Sequence, residues 1–290
     1  MAIYNLGSIN ADHVYRVPHL VGAGETLAAT DLTTGLGGKG CNMSVAAARG
    51  AARVVHIGAV GADGRWAVER LLEYGVDTRH ISQVNTPTGH ANICVDASGE
   101  NSIVLFTGAN HAIASSAIGA ALSEAAAGDS FLTQNETNGQ VEAARMAKDL
   151  GLRVVYAAAP FDAAAVEAVL PYLDLLVLNE VEAEQLQAET GSNLSDLPVS
   201  DIVVTLGGAG CAWHSKGAEV HTFDAYEVEV VDTTGAGDCF TGYLVAGLDR
   251  GMPMAQAITL GMRAGALMVT RVGAADVTPD LKELQDHFSL

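Results

Sequence analysis

The chain has 290 residues, 49% of them hydrophobic, and carries a formal net charge of −19. That length permits one large α/β domain or two small ones, with apolar content enough for a sizeable core. So acidic a balance argues against nucleic acid or an anionic membrane as partner, and apolar stretches are broken by Asp, Glu, Gly or Pro well short of spanning length.

In chain order, residues 8–33 alternate and are poor in helix signals, which predicts β structure outside a helix-covered layer. A Gly-rich turn follows, Gly35-Leu36-Gly37-Gly38-Lys39-Gly40-Cys41-Asn42, leading into an Ala-rich helix over 43–49. Its glycines permit close backbone approach, Lys39 offers a compact cation, and Asn42 both donates and accepts. Apolar runs at 54–60, 131–133, 154–156, 175–178 and 202–206 have strand length. Helical patterns at 65–74, 113–126, 139–150, 163–170 and 181–188 lie between them. Continuous apolar strands alternating with helices predict a mainly parallel sheet covered on both faces. The rhythm breaks again at 89–106, where 91–95, a turn at Ala97-Ser98-Gly99-Glu100, and 103–106 read as a hairpin. No internal repeat or long linker appears, so residues 1–290 are expected to form one domain, with 8–33 and 89–106 as a small β lid.

Near the end, a β-type segment at 228–231 gives way to a helical pattern at 240–248 through Asp232-Thr233-Thr234-Gly235-Ala236-Gly237-Asp238. A turn of small residues into a helix leaves backbone N–H groups unpaired, and with the helix dipole they form an anion site. Asp238 projects from the first helical turn into the same space, so Gly235, Ala236 and Gly237 are the expected anion hole and Asp238 the expected general base. An anion cradle beside a carboxylate suits phosphoryl transfer to a hydroxyl. The dipole is expected to keep Asp238 ionised and weakly basic. The same residues also fit a plain capped turn. There is no Gly-Lys-Ser/Thr P-loop and no Gly-x-Gly-x-x-Gly opening a helix, so nicotinamide chemistry lacks sequence support.

Two such turns, about two hundred residues apart, belong to an ordered set. It begins with Leu6-Gly7-Ser8-Ile9-Asn10-Ala11-Asp12, Gly24-Glu25-Thr26 and Gly37-Gly38-Lys39-Gly40 with Asn42. It continues with Asn179-Glu180-Val181-Glu182-Ala183-Glu184, Thr205-Leu206-Gly207-Gly208-Ala209-Gly210, residues 232–238, and Thr270-Arg271 before Gly273-Ala274. Taken together they resemble the ribokinase-like (PfkB) carbohydrate kinases from end to end, the ribokinase branch in particular. The resemblance implies an α/β three-layer sandwich with a β-sheet lid, and an ATP-dependent kinase that makes ribose 5-phosphate from D-ribose. It leaves open another sugar or a nucleoside (fructose, deoxyribose, a pseudouridine-like compound), or a sugar-binding regulator without catalysis.

Residue by residue, the resemblance places Asn10, Asp12, Gly38, Lys39, Asn42, Glu136 and Asp238 at the sugar. It places Asn179, Thr205, Gly207, Gly210 and Gly237 at ATP. Magnesium is implied near Asn179 and Glu182, largely through water, and potassium near Asp232, Thr234, Met268, Arg271 and Gly273. Two carboxylates, Asp12 and Glu136, offset only by Lys39 and Arg16, favour a neutral sugar over a phosphosugar. Three departures stand out. Ala157-Ala158-Ala159-Pro160 replaces the common Asn-Pro-Ala-Pro, Cys41 and Met43 replace Ala and Gln, and Asp276-Val277 replaces a Pro-Ser pair by the potassium loop. The lid cannot bury both its faces on its own domain, so a homodimer through the lids is expected. Cys41, Cys94, Cys211 and Cys239 are scattered thiols without metal or disulfide spacing. With no basic and apolar leader pattern, they suit a cytoplasmic protein.

Overall fold

The computed structural model describes residues 1–288. Its first strands are β1 (Ala2–Leu6), β2 (Asn10–Arg16) and β3 (Asp31–Gly37), followed by helix α1 (Lys39–Arg49), β4 (Arg53–Val60), α2 (Arg65–Glu73) and β5 (Asp77–Gln83). The hairpin β6 (Gly89–Val95) and β7 (Asn101–Phe106) precedes α3 (Ser115–Leu122), β8 (Ser130–Gln134), α4 (Gln140–Asp149), β9 (Arg153–Ala157) and α5 (Ala163–Val169). Then come β10 (Leu175–Asn179), α6 (Glu180–Thr190), β11 (Asp201–Thr205), β12 (Cys211–Ser215), β13 (His221–Phe223), α7 (Ala236–Asp249), α8 (Met254–Met268) and α9 (Leu281–Phe288).

Nine strands form one sheet in the order β13-β12-β11-β10-β9-β8-β1-β4-β5. All its pairings are parallel except β11–β12 and β12–β13. Alternate residues of each strand feed two cores, as the pleat requires. Tyr4, Ile57, Phe131 and Tyr156 join α3, α4, α5 and α6 on one face. Ile3, Val54, Leu132 and Val155 join α1, α2, α7 and α8 on the other. Those are the three layers, with β2, β3, β6 and β7 as a separate sheet in the order β3-β2-β6-β7.

Three expectations change. Residues 228–231 are not a strand: 228–230 have no regular structure, Val231 lies in a bend, and Val230 and Val231 are exposed. Hydrophobic β-branched residues alone do not make a strand when no neighbouring edge receives them. Helix α1 begins at Lys39, not at 43, because β3 continues through Gly37 and only Gly38, at φ 91°, makes the turn. The helix predicted at 113–126 shrinks to Ser115–Leu122 behind a 3-10 turn at Gly108–His111. Strands β1, β5, β12 and β13 add to the predicted sheet.

Candidate active site

The residues singled out by sequence converge at the carboxyl ends of β1, β8, β10 and β11, where open parallel sheets bind ligands. Two helix N-termini meet there and differ in one respect. At α1 the donors are already used: Lys39 N–H donates to Glu136 Oε2 at 3.1 Å, and Gly40 N–H to Ser8 Oγ at 3.2 Å. Gly40 is obligatory, since a Cβ there would lie 2.3 Å from the Ser8 nitrogen. At α7, Gly235 (φ 70°) makes the left-handed turn, and Ala236 N–H bonds the Thr233 carbonyl. The N–H groups of Gly235, Gly237 and Asp238 have no acceptor among the described residues. The open donors at this terminus are therefore those three, and Ala236 contributes its small size.

Between the two termini lies Asp238, buried, its Oδ2 accepting from Asn42 Nδ2 at 2.8 Å. The other end of that amide, Asn42 Oδ1, is buried and has no donor. Burial pushes the Asp238 carboxyl up to about 6, against the opposing pull of Lys39 and the Asn42 bond, with Glu136 and Glu182 adding to the rise. The helix dipole loses to desolvation, so Asp238 is a stronger base than its sequence position suggests. Lys39 is held above its usual range by Asp238 first, then Glu136 and Glu182, against the effect of its own burial. Asp12 is pushed up to about 7 by burial and by the neighbouring Glu136.

A cavity of about 240 Å³ is lined by Lys39, Asp238, Asn179, Glu182, Thr205 and Gly237, with Ala157, Ala158 and Ala159 as an apolar wall. Asn179 and Glu182 form a reciprocal cap on α6: Asn179 Oδ1 accepts from Glu182 N–H and Glu182 Oε2 from Asn179 N–H, both at 2.8 Å. Each keeps one polar group free. Burial raises the Glu182 carboxyl, partly offset by the Asn179 N–H and Lys39. Thr205 ends β11, and Gly210 (φ 103°) cannot carry a side chain, because a Cβ would overlap the Phe223 carbonyl. Gly207 (φ 56°) opens the short 3-10 turn that joins them. Larger hollows of about 520 Å³ lie elsewhere, one at the amino ends of β9, β10 and β11 and one between α8 and α9.

Asn10, Asp12 and Glu136 lie outside that cavity's lining, on the lid side of Lys39. Asn10 Oδ1 accepts from Asn110 Nδ2 at 2.8 Å, and the Asp12 carboxylate leans on Gly37, where any Cβ would overlap it. Glu136 Oε2 is shared by the Ser8 hydroxyl and the Lys39 N–H. Ser8 and Asn110 were missed from sequence; Ser8 sits in the motif already quoted, whereas nothing local marks Asn110. Asp232 closes its own turn, accepting from Thr234 N–H and Oγ1 at 2.9 and 2.6 Å and from Gly273 N–H at 3.0 Å. Burial raises its carboxyl, but those bonds and Arg16 hold it below the usual range. Met268 stands beside Gly235, its carbonyl accepting from Arg271 N–H, while the Arg271 guanidinium turns away to Glu283 at 2.7 Å. Among the described residues no three His, Cys, Asp or Glu side chains cluster as a metal cage.

Comparison with known proteins gives a consistent result. A family model described as pfkB family carbohydrate kinase matches residues 3–281. A ribokinase of Haemophilus influenzae is 36% identical over 293 residues, covering 96% of this chain and 95% of that protein. The crystal structure of ribokinase from Cryptococcus neoformans var. grubii in complex with ADP superposes with a TM-score of 0.84 at 33% identity, over 99% of both chains. The Arabidopsis thaliana ribokinase complexed with ribose and ATP gives 0.86 at 27% identity over the full length of both.

The electrostatic arrangement is directly measurable. Followed by carbon NMR, the Asp238 carboxyl should titrate near 6. Lys39→Met removes a charge that favours the carboxylate, so the midpoint should move up. A midpoint in the ordinary carboxylate range, or a downward shift in the variant, would contradict the burial argument.

Proposed function

The chain belongs to the pfkB family of carbohydrate kinases, and from that premise we propose that it transfers the γ-phosphoryl group of ATP to a hydroxyl of D-ribose, giving ribose 5-phosphate and ADP. One observation carries the reading: a buried carboxylate, Asp238, lies beside unpaired N–H donors and within reach of Lys39. The sugar hydroxyl attacks phosphorus, its proton passes to Asp238, and the bond from phosphorus to the β,γ-bridging oxygen breaks. The N–H groups of Gly235, Gly237 and Asp238 receive the charge on the moving group, and Lys39 adds a cation. A carboxyl near 6 is ionised at neutral pH yet basic enough to take a proton late in the transfer. A non-catalytic binder has no use for such a base.

On the lid side, Asp12, Asn10, Glu136 and Asn42 supply acceptors and donors for vicinal hydroxyls, and the orphaned Asn42 Oδ1 calls for one such donor. The free Glu182 oxygen and the Asn179 amide fit a magnesium ion that keeps most of its waters, since among the described residues no compact acid cage surrounds them. Bound there, magnesium would neutralise phosphate charge. The Asp232 carboxylate, with spare lone pairs beyond its three bonds, and carbonyls of residues 268–273 fit a monovalent cation such as potassium, which would steady the turn behind Gly235. We read residues 1–290 as one kinase domain with the four-stranded sheet as its lid. No described helix is long and apolar enough to cross a membrane, and the four cysteines are free thiols, in keeping with a cytoplasmic enzyme.

The lid also carries the dimer reading. Strand β7 ends its sheet, and Ile103, Val104, Leu105 and Phe106 are exposed at 56, 65, 46 and 44%. Successive residues of a strand point to opposite faces, so both faces of this edge are apolar and open. A second copy of the same lid would cover them with two-fold symmetry.

Four outcomes are expected. Asp238→Asn should lower kcat by roughly 100- to 10,000-fold with little change in sugar affinity. In the wild type, kcat/KM for the sugar should fall as pH drops through about 6, as the base takes up its proton. Activity within threefold of wild type in the variant would remove Asp238 as the base. In an ADP-release assay, ribose should be phosphorylated and ribose 5-phosphate refused, because Asp12 and Glu136 repel a second anion; preference for the phosphosugar would overturn the acceptor assignment. Light scattering across a concentration series should give twice the chain mass, and Val104→Asp with Phe106→Asp should halve it. A monomer at micromolar concentration with full activity would remove the lid dimer.

A further inference from the structure

Asp276 departs from the family pattern, and the chemistry above leaves it unused. It sits in a 3-10 turn, Ala275–Val277, whose first residue is fully buried. Its Oδ1 accepts from the Tyr74 hydroxyl, and Arg70 Nε lies 3.8 Å from the same oxygen. Tyr74, just past α2, is itself held by the Arg49 guanidinium, 5.2 Å above its ring. Burial and then Asp276 push the phenol up to about 12, so it remains a donor throughout the physiological range. The second carboxylate oxygen faces Gly35 of β3, 3.8 Å from where a Cβ would stand. One side chain thus bonds the residue after α2 and faces strand β3.

The loop that carries Asp276 is the back wall of the anion-binding turn. A Cβ on Gly235 would lie 3.6 Å from both the Ala274 Cβ and the Met268 Cε. The Val269 carbonyl accepts from Val231 and Asp232 N–H at 2.8 and 3.1 Å, and Gly273 N–H donates to Asp232. Asp232 in turn holds Thr234, the residue before Gly235. On its far side the loop is fixed by Arg271, bonded to Glu283 and to the Val277 carbonyl. Toward α2 the loop is held by the Asp276 carboxylate, bonded to Tyr74 and 3.8 Å from Arg70 Nε, beside the buried Ala275.

We propose that Asp276 is a positioning residue for phosphoryl transfer, pegging the 269–278 loop to Tyr74 so that Asp232, Thr234 and the Gly235–Asp238 donors keep their aim. This rests on the proposed kinase reaction. Donors that stabilise a transition state act through position, so a loosened wall costs rate more than ground-state affinity. A bond that merely adds surface stability would leave kcat alone.

The test compares Asp276→Ala, Tyr74→Phe and the double variant. For each single variant kcat should fall about three- to tenfold, with KM for ribose within about twofold; the double variant should lose no more than the worse single one, since both remove one shared interaction. Tyr74→Phe deletes one exposed-side oxygen and keeps the ring, so it serves if Asp276→Ala folds poorly. Hydrogen exchange on the ligand-free chain supplies an activity-independent readout: the amides of Gly273, Asp232 and Thr234 should exchange faster in both variants, while those of β1 and β8 stay unchanged. Unchanged exchange in that loop, unchanged kcat, or exchange rising equally across the chain would each overturn the peg. If the wild type phosphorylates no acceptor, the kinase reading fails on its own, and the exchange data still decide whether Asp276 holds the loop.

Discussion

The contact between α1 and α7 sets everything else, because the two turns meet only if the two helices come close. Asn42 and Asp238 are 196 positions apart in sequence and share a 2.8 Å bond. Their helices cross through small residues: a Cβ on Gly242 would stand 2.5 Å from the Ala46 Cβ and 2.6 Å from the Met43 carbonyl, and one on Gly50 would stand 2.8 Å from the Ala246 Cβ. Larger side chains would separate the backbones by ångströms, and neither partner could follow, since interiors this dense do not yield locally. The glycine and alanine richness of the chain is thus partly a requirement of the site. Tight packing also excludes water from Asp238, and desolvation is the main reason its carboxyl is basic.

Much of this arrangement is legible in sequence, for a physical reason. Both turns advertise themselves through glycines that backbone geometry demands, and the strands through apolar runs that burial demands. The failures are equally physical. Residues 228–231 look like a strand because β-branched residues favour extended backbone, but extension becomes a strand only with a neighbour to pair with. The start of α1 is misplaced because Gly35 and Gly37 suggest a turn, whereas they sit in β3 to make room: any Cβ on Gly37 would occupy the Asp12 carboxylate. Ala236 was expected to donate to an anion, and its N–H closes the preceding turn. The basicity of Asp238 was underrated because the dipole is a local property read from sequence, whereas desolvation depends on the whole fold. Ser8, Asn110 and Tyr74 act through other side chains, and no local pattern identifies a residue whose partner is 100, 128 or 202 positions away.

The net charge of −19 presents a problem for any protein that holds a polyanion. Local composition resolves it. Surface acids more than roughly 8 Å away are screened at physiological salt. Within the site, Lys39 and the open end of α7 line one cavity, where in the proposed reaction they would face the phosphates, while Asp12 and Glu136 lie outside its lining. In that reading the field is divided: positive toward the phosphates, negative toward the hydroxyl. A neutral polyol suits the second half, and a phosphorylated one would meet two carboxylates at once.

Most of the acids in that site share one construction. Glu136 commits one oxygen to Ser8 and Lys39 N–H, Glu182 one to Asn179 N–H, and Asp238 one to Asn42, each leaving its other oxygen unbonded by protein. A carboxylate tethered through one oxygen has little freedom left to lose when a ligand takes the second, so binding there costs little conformational entropy. Asp12 is the exception. It has no hydrogen-bond partner among the described residues, and its carboxyl is pushed up to about 7, so near neutrality it is shared between charged and protonated forms. A sugar hydroxyl donating to Asp12 would favour the charged form and offset part of the cost of burial. The three tethered acids are therefore set before any ligand arrives. Asp12, on β2, has no such tether, and in the proposed reaction a hydroxyl of the substrate would complete it.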